Sequence, residues 1–240
     1  KENDNLFDAQ LNKYKKIAES LNLNENSKVL EIGCGWGGFS TYAAKNFKSK
    51  IDAITISKAQ FEYASNKIQK EGLGEKVSIK FKDYRDIDSQ YSNIASIEMF
   101  EAVGKKYWEK YFDVVKNSLV NSGKAALQII TIDEKRSFNY QSQPDFIQQY
   151  IFPGGMLPTK KELLEINQKV GLDFSEVKNF GLSYAKTLNM WNNQFQNSWQ
   201  DLLQLGFNKR FKRMWEFYLA YCETGFISKS TDVSHFLINK

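Results

Sequence analysis

The chain is poor in the residues that build several kinds of site. Among its 240 residues there are one histidine (His235), two cysteines (Cys34 and Cys222) and three prolines. Arginine is equally scarce: Arg85, Arg136, Arg210 and Arg213 are the four among 33 Lys and Arg. Two cysteines make no disulfide scaffold and fit a reducing compartment. A single histidine without cysteine or acidic partners at ligand spacing predicts no metal site. Its place in the alternating run Val233-Ser-His-Phe-Leu-Ile238 predicts a solvated strand surface. No apolar run approaches the ~18 residues of a membrane-spanning helix. The net charge of +5 is spread along the chain without a block of like charges, which argues against a nucleic-acid-binding tail.

Aromatic residues are in surplus, with 18 Phe, 12 Tyr and 5 Trp, or 15% of the chain. The remaining composition, 42% hydrophobic and 25% charged, is that of a globular protein able to bury a core as one domain.

In the first half, strand-like and helix-like segments alternate. Leu6 to Leu21 has helical apolar spacing, and Lys28 to Ile32 reads as a buried strand ending in glycines. Helices are predicted at 37–47, 58–70 and 105–120, and strands at 51–56, 77–81, 94–99 and 125–132, with a turn at Asn121-Ser-Gly123. Such alternation implies a parallel sheet with helices on both faces. Farther on, Ile151 to Pro158 reads as an ordered loop. Tyr184, Leu188, Trp191, Phe195, Trp199 and Leu202 mark one face of a long helix. A helix over 209–222 and a closing strand over 233–238 complete the pattern, a single domain with a late helical insertion.

Glu31-Ile-Gly-Cys-Gly-Trp-Gly-Gly38 stands where the first strand gives way to a helix. Glycines there let the backbone approach a ligand, and the helix start favours a polar or anionic group. A dinucleotide enzyme would carry a similar loop, but it would also place an acid after the second strand for ribose. Here that region reads Thr55-Ile-Ser-Lys-Ala-Gln60. Glu31, two residues before the first glycine, suits the ammonium of S-adenosylmethionine instead. Asp83, after the third strand, is placed to accept from an adenine amino group, although a solvated turn acid fits it equally. Trp36 either covers the cofactor or packs under the sheet, and Cys34 reads as a small residue in a crowded turn.

Seven segments then carry a resemblance: residues 29–38, 54–60, 82–87, IEMFEAVG (97–104), YIFPGGMLP (150–158), the Tyr184, Thr187, Leu188, Trp191 spacing, and RFKRMWEFYLAYCETGF (210–226). The chain resembles the cyclopropane fatty acid synthases and the related mycolic acid methyltransferases. The resemblance implies a Rossmann-like class I methyltransferase fold, α/β, with a mostly parallel seven-stranded sheet and a helical insertion near the C-terminus. Residues 6–132 would form the cofactor-binding half, and 144–225 the acyl-substrate loop and helices. It further implies that the enzyme adds a methylene bridge across a cis double bond of phospholipid acyl chains, with bound bicarbonate removing the proton.

By the same resemblance, the cofactor set is Glu31, Gly33, Cys34, Gly35, Trp36, Gly37, Thr55, Ile56, Gln60, Asp83, Tyr84 and Arg85. Glu101 and Tyr184 would hold the bicarbonate, with Gln128 standing where the family has histidine and Ile130 adding its backbone. Cys222 aligns with a cysteine counted as an active-site candidate, and packing within its helix is the stronger reading. Ala102 replaces another family histidine. The family's upstream Tyr-Ser-Cys segment has no counterpart before Leu6, so part of both sites is expected to be absent. The expected location is cytoplasmic at a membrane surface, with a homodimer left open. Phe152, Met156, Leu157, Trp191 and Phe195 either line an acyl tunnel or belong to the core, and Lys209 to Arg213 either meets anionic headgroups or is solvated. The alternatives are a methyl- or methylene-branching enzyme, a generic small-molecule methyltransferase and a catalytically decayed lipid- or cofactor-binding module.

Overall fold

The computed structural model describes residues 5–240; the opening Lys1-Glu-Asn-Asp4 lies outside the described residues. The first helix, α1 (Leu6–Ser20), starts at Asn5, whose side chain accepts from the Asp8 N–H. It is followed by β1 (Lys28–Ile32), α2 (Gly38–Phe47), β2 (Lys50–Thr55), α3 (Lys58–Lys70), β3 (Val77–Phe81) and β4 (Tyr91–Ile97). Then come α4 (Trp108–Ser118), β5 (Leu119–Ile132), α5 (Glu134–Ser142), α6 (Phe146–Tyr150), α7 (Lys160–Val170) and β6 (Asp173–Asn179). The last elements are α8 (Gly181–Asn197), α9 (Trp199–Gln204), α10 (Lys209–Ile227) and β7 (Thr231–Asn239).

The seven strands form one sheet in the order β3-β2-β1-β4-β5-β7-β6. The first five run parallel, and β7 is antiparallel to both of its neighbours. This is the mostly parallel α/β sheet expected, and its order reverses between β1 and β4, where such sheets open a crevice for a ligand.

Alternation along β1 divides the core. Leu30 and Ile32 face a cluster with Ile54, Ile94, Phe100, Trp108, Tyr111, Phe112 and Leu163, built by α4 and α7. Val29 faces the other layer, with Ile17, Phe39, Ala43, Ile51, Ala53 and Ile68 from α1, α2 and α3. A third cluster joins α8, α9 and α10 to β7 through Leu188, Phe195, Trp199, Leu219, Phe226 and Val233. Most of the aromatic surplus is spent in these three clusters.

Several elements differ from the expectations. The helix predicted to Val120 ends at Ser118, and Asn121-Ser-Gly123 lies inside the long β5, where the register against β4 shifts. Ser122 sits at φ +63°, so the chain kinks there without reversing. The single long helix predicted from Tyr184 to Leu202 is broken at Ser198 into α8 and α9. β6 has no counterpart among the predicted strands because nearly all of its side chains are exposed and no apolar alternation marks it.

Candidate functional site

The glycine turn after β1 needs its glycines. Gly33, Gly35 and Gly37 all have positive φ, and a Cβ on Gly33 (φ +80°) would come within 2.6 Å of Met99 Cγ. This turn forms the floor of a cavity of about 420 Å³, with Glu31, Cys34 and Trp36 also in its wall. Lys13 and Tyr14 from α1, Tyr63 and Lys67 from α3, Ile97 at the end of β4 and Glu98 just beyond it close the remaining sides. Trp36 is 55% exposed and meets the Tyr63 ring edge-on at 5.2 Å, so it covers the cavity and is not packed beneath the sheet.

Glu31 is buried at the end of β1 and accepts a hydrogen bond from Ser40 Oγ. Burial pushes its carboxyl up to about 8, despite the bonds from Ser40 and the charges of Lys13 and Lys67. Lys13 is moved the other way: burial lowers it, against the pull of Glu98 and Glu31. A buried acid in the wall of this cavity fits a ligand that brings its own cation.

A second polar group adjoins this cavity. Glu98 is held at φ +53° just after β4, a backbone region unusual for a residue with a side chain. Its Oε1 accepts from Gln128 Nε2 at 2.8 Å and from the Tyr184 hydroxyl of α8. Gln128 Nε2 also donates to the Tyr184 oxygen at 2.6 Å. Burial and Glu98 together drive the Tyr184 phenol well above its usual value, so it remains a donor. Glu101 is partly buried; its Oε1 accepts from the Ile130 N–H at 2.6 Å, and its buried Oε2 has no partner. Burial first, and then Glu98, pushes its carboxyl up to about 8.

His235 corrects the sequence expectation. It is 7% exposed, and the β5–β7 register pairs it with Gln128. Its Nε2 lies 3.0 Å from Gln128 Oε1, so a neutral ring with Nε2–H fixes the amide with its nitrogen toward Glu98 and Tyr184. Burial, with Lys13 and Lys178, lowers its value to about 4. The folded state therefore resists a proton that the unfolded chain accepts below about pH 6.5, and stability falls with falling pH until about 4. A His235→Leu variant lacks this loss. Its stability deficit relative to the wild type should shrink by about 3 kcal/mol between neutral pH and about pH 4, measured by urea unfolding.

The other predicted residues, Cys34 in the cavity wall excepted, stand outside these two groups. Thr55 Oγ1 donates to Gln60 Oε1 at 2.9 Å at the β2–α3 junction, and Ile56 beside it is exposed. Asp83 is clamped by Arg85 through bonds of 2.7 and 2.9 Å and caps its own short turn, which holds its carboxyl below the usual range. Tyr84 turns its ring edge onto Tyr111. Cys34 and Cys222 have thiols pushed up to about 12 by burial, which suits packing and not a thiolate. Phe195 belongs to the α8–α10 cluster, Met156 packs against the separate cluster around Phe100, and Phe152 and Trp191 keep substantial exposure. Among the described residues no cluster suited to a metal ion occurs.

A model of the mycolic acid cyclopropane synthetase family matches residues 1–236. The chain belongs to this family. It is 38% identical over 226 residues, 94% of the chain, to the tuberculostearic acid methyltransferase UfaA1 of Mycobacterium tuberculosis, covering 53% of that protein. It is 37% identical, again over 94% of the chain, to the cyclopropane-fatty-acyl-phospholipid synthase of Escherichia coli K12, covering 56% of it. The chain thus spans about half the length of the curated relatives it matches. Among solved structures, the cyclopropane synthase MmaA2 of Mycobacterium tuberculosis superposes with a TM-score of 0.93 at 23% identity, and all of this chain covers 87% of that one. The mycolic acid cyclopropane synthase CmaA1 complexed with SAH and CTAB gives 0.93 at 24% identity with the same coverage. These two likenesses establish the fold of a family member.

Sequence reasoning missed Lys13, Tyr14, Ser40, Tyr63, Lys67, Glu98 and the part played by His235. One signal was available for Glu98. It is an acid at the carboxyl end of a parallel strand, inside the segment IEMFEAVG, which was read for Glu101 alone.

Proposed function

We propose that this cyclopropane synthetase family member transfers a methyl group from S-adenosylmethionine to a double bond of unsaturated phospholipid acyl chains. The observation that carries the reading is the buried Glu31 in the wall of a glycine-floored cavity that also reaches Glu98. The cavity fits the donor: Glu31 would hold its ammonium, the turn from Gly33 to Gly37 would lie along it, and Trp36 would cover it. When bound, the donor supplies a methyl made electrophilic by the neighbouring sulfonium. Trp36 and Tyr63 would flank the bound donor at the cavity mouth, with the hydrogen-bonded group of Glu98, Gln128 and Tyr184 beside it. Tyr184 adds an aromatic face that favours positive charge by up to about 2 kcal/mol when desolvated.

The bicarbonate implied by the family resemblance does not fit this arrangement. Tyr184 and Gln128 already donate to Glu98, and the Ile130 N–H already donates to Glu101. No step is therefore assigned to it. A cyclopropane ring is one product of the proposed reaction. A methyl- or methylene-branched chain is the other, favoured by the similarity to a tuberculostearic acid methyltransferase. Calorimetry with S-adenosylhomocysteine, followed by NMR of lipids from vesicles treated with the protein and donor, tests both parts. Absence of binding removes the cofactor assignment and supports a decayed module.

The acyl chains are met at a membrane surface in this proposal, and no helix among the described residues is long and apolar enough to cross a membrane. Lys209, Arg210 and Arg213 are exposed at the start of α10, with Lys212 beside them over the Trp199 ring. Each cation near an anionic surface adds roughly 1 kcal/mol. Neutralising all four should weaken sedimentation with anionic vesicles by at least about tenfold. Unchanged binding removes the headgroup role.

A further inference from the structure

We propose that the carboxylate of Glu98 is the general base of this reaction, in place of a bound anion. The assignment rests on the methyl-transfer reading above. Position, exposure and hydrogen bonds point to Glu98. It lines the cavity assigned to the methyl donor. Its side chain is exposed, while Glu101, three residues on, is only partly so and has a buried Oε2. Its Oε1 takes the bonds of both side-chain donors, Tyr184 and Gln128, that would otherwise meet a small anion.

Nothing among the described residues donates to its Oε2, so that oxygen is available for a proton. The backbone is held in a left-handed conformation at φ +53°, with the Glu98 N–H donating to the Gln128 carbonyl at 2.9 Å. Strained positions of this kind persist where the surroundings over-determine them, and they gather at functional sites. The surroundings here are a chain of positioning residues: His235 orients Gln128, and Gln128 and Tyr184 orient Glu98.

The π pair of the acyl alkene forms the new carbon–carbon bond, and the carbon–sulfur pair stays on sulfur. The neighbouring carbon is left cationic. A lone pair on Glu98 Oε2 then forms an O–H bond with one hydrogen of the new methyl. The released C–H pair closes onto the cationic carbon as the third side of a ring; alternatively, after the cation has moved by a hydride shift, it forms a methylene double bond. Glu98 ends as a neutral acid and returns its proton to solvent.

The test uses the full chain, S-adenosylmethionine and vesicles of an unsaturated phospholipid. Glu98→Gln keeps an acceptor for Tyr184 but has no basic oxygen. It should still bind S-adenosylhomocysteine by calorimetry while turnover falls by about a hundred- to ten-thousand-fold. Glu98→Gly suits the left-handed backbone and vacates the space of the side chain. Added formate or bicarbonate should raise its turnover by at least about tenfold. Formate titrated into its S-adenosylhomocysteine complex should give a binding heat absent from the wild type. Wild-type turnover should be unchanged in carbonate-free buffer. Full turnover by Glu98→Gln, or a wild-type rate that depends on added bicarbonate, overturns the assignment. A wild type that binds no S-adenosylhomocysteine and alters no lipid overturns the methyl-transfer reading itself, and the assignment with it.

Discussion

Glu31→Gln is expected to weaken S-adenosylhomocysteine binding by about 10- to 100-fold, the worth of a hydrogen bond to a charged group. The same substitution should erase a pH dependence that the wild type shows. In the free protein, burial keeps the Glu31 carboxyl protonated up to about 8. The ammonium of the ligand favours the ionised form, so binding near neutral pH expels a proton. Wild-type affinity should therefore rise by up to about tenfold per pH unit from about pH 6 and level off near 8. In Glu31→Gln the profile should be flat over the same window. Calorimetry in buffers of different ionisation enthalpy reads the released proton directly. Without ligand the sign for stability is opposite to that of His235: the raised carboxyl favours the fold below its unfolded value near 4.5, and that contribution is lost as pH rises through about 8.

Phe100→Ala should be the most destabilising single change near the site. Phe100 is 1% exposed and lies between Glu98 and Glu101 in sequence. Its ring meets Tyr111 at 5.1 Å, Phe112 at 5.2 Å and Trp108 at 5.6 Å, all from α4. Truncation of a buried phenylalanine costs about 3–5 kcal/mol because the surroundings close the hole only in part. The same ring anchors the turn that carries both acids. A shift of about 1 Å in a positioned group can cost about a hundredfold in rate. Denaturant unfolding should show a loss in that range, with turnover falling even where the variant is fully folded. A variant that keeps wild-type turnover would mean that the turn is held from elsewhere.

Local signals were read well from the sequence. The α3 boundaries Lys58–Lys70 are those of the predicted helix, because Ser57 caps it and its apolar spacing is regular. The glycine turn and Glu31 were legible for the same reason: the strand, turn, acid and helix start all lie within eleven residues. What depends on pairing between distant segments was not legible. His235 and Gln128 are 107 residues apart, and only the β5–β7 register joins them. An alternating strand pattern shows that His235 shares a face with Val233 and Leu237, but it cannot show that another element covers that face. The place of Glu98 is hidden for a related reason. Its role comes from Tyr184, 86 residues away on a helix that folds back over the sheet. For Asp83 the sequence leaves an adenine acceptor and a turn acid equally open, and in the structure Arg85, two residues on, claims its carboxylate.

Methyl transfer is tested with a donor whose transferred methyl carries three deuterium atoms, incubated with the protein and vesicles of a monounsaturated phospholipid. If a methyl is transferred to the alkene and a base then removes one of its protons, mass spectrometry of the acyl chains will find the added carbon with two deuterium atoms. Lipid that gains no labelled carbon, while S-adenosylhomocysteine binds the protein, would contradict the account.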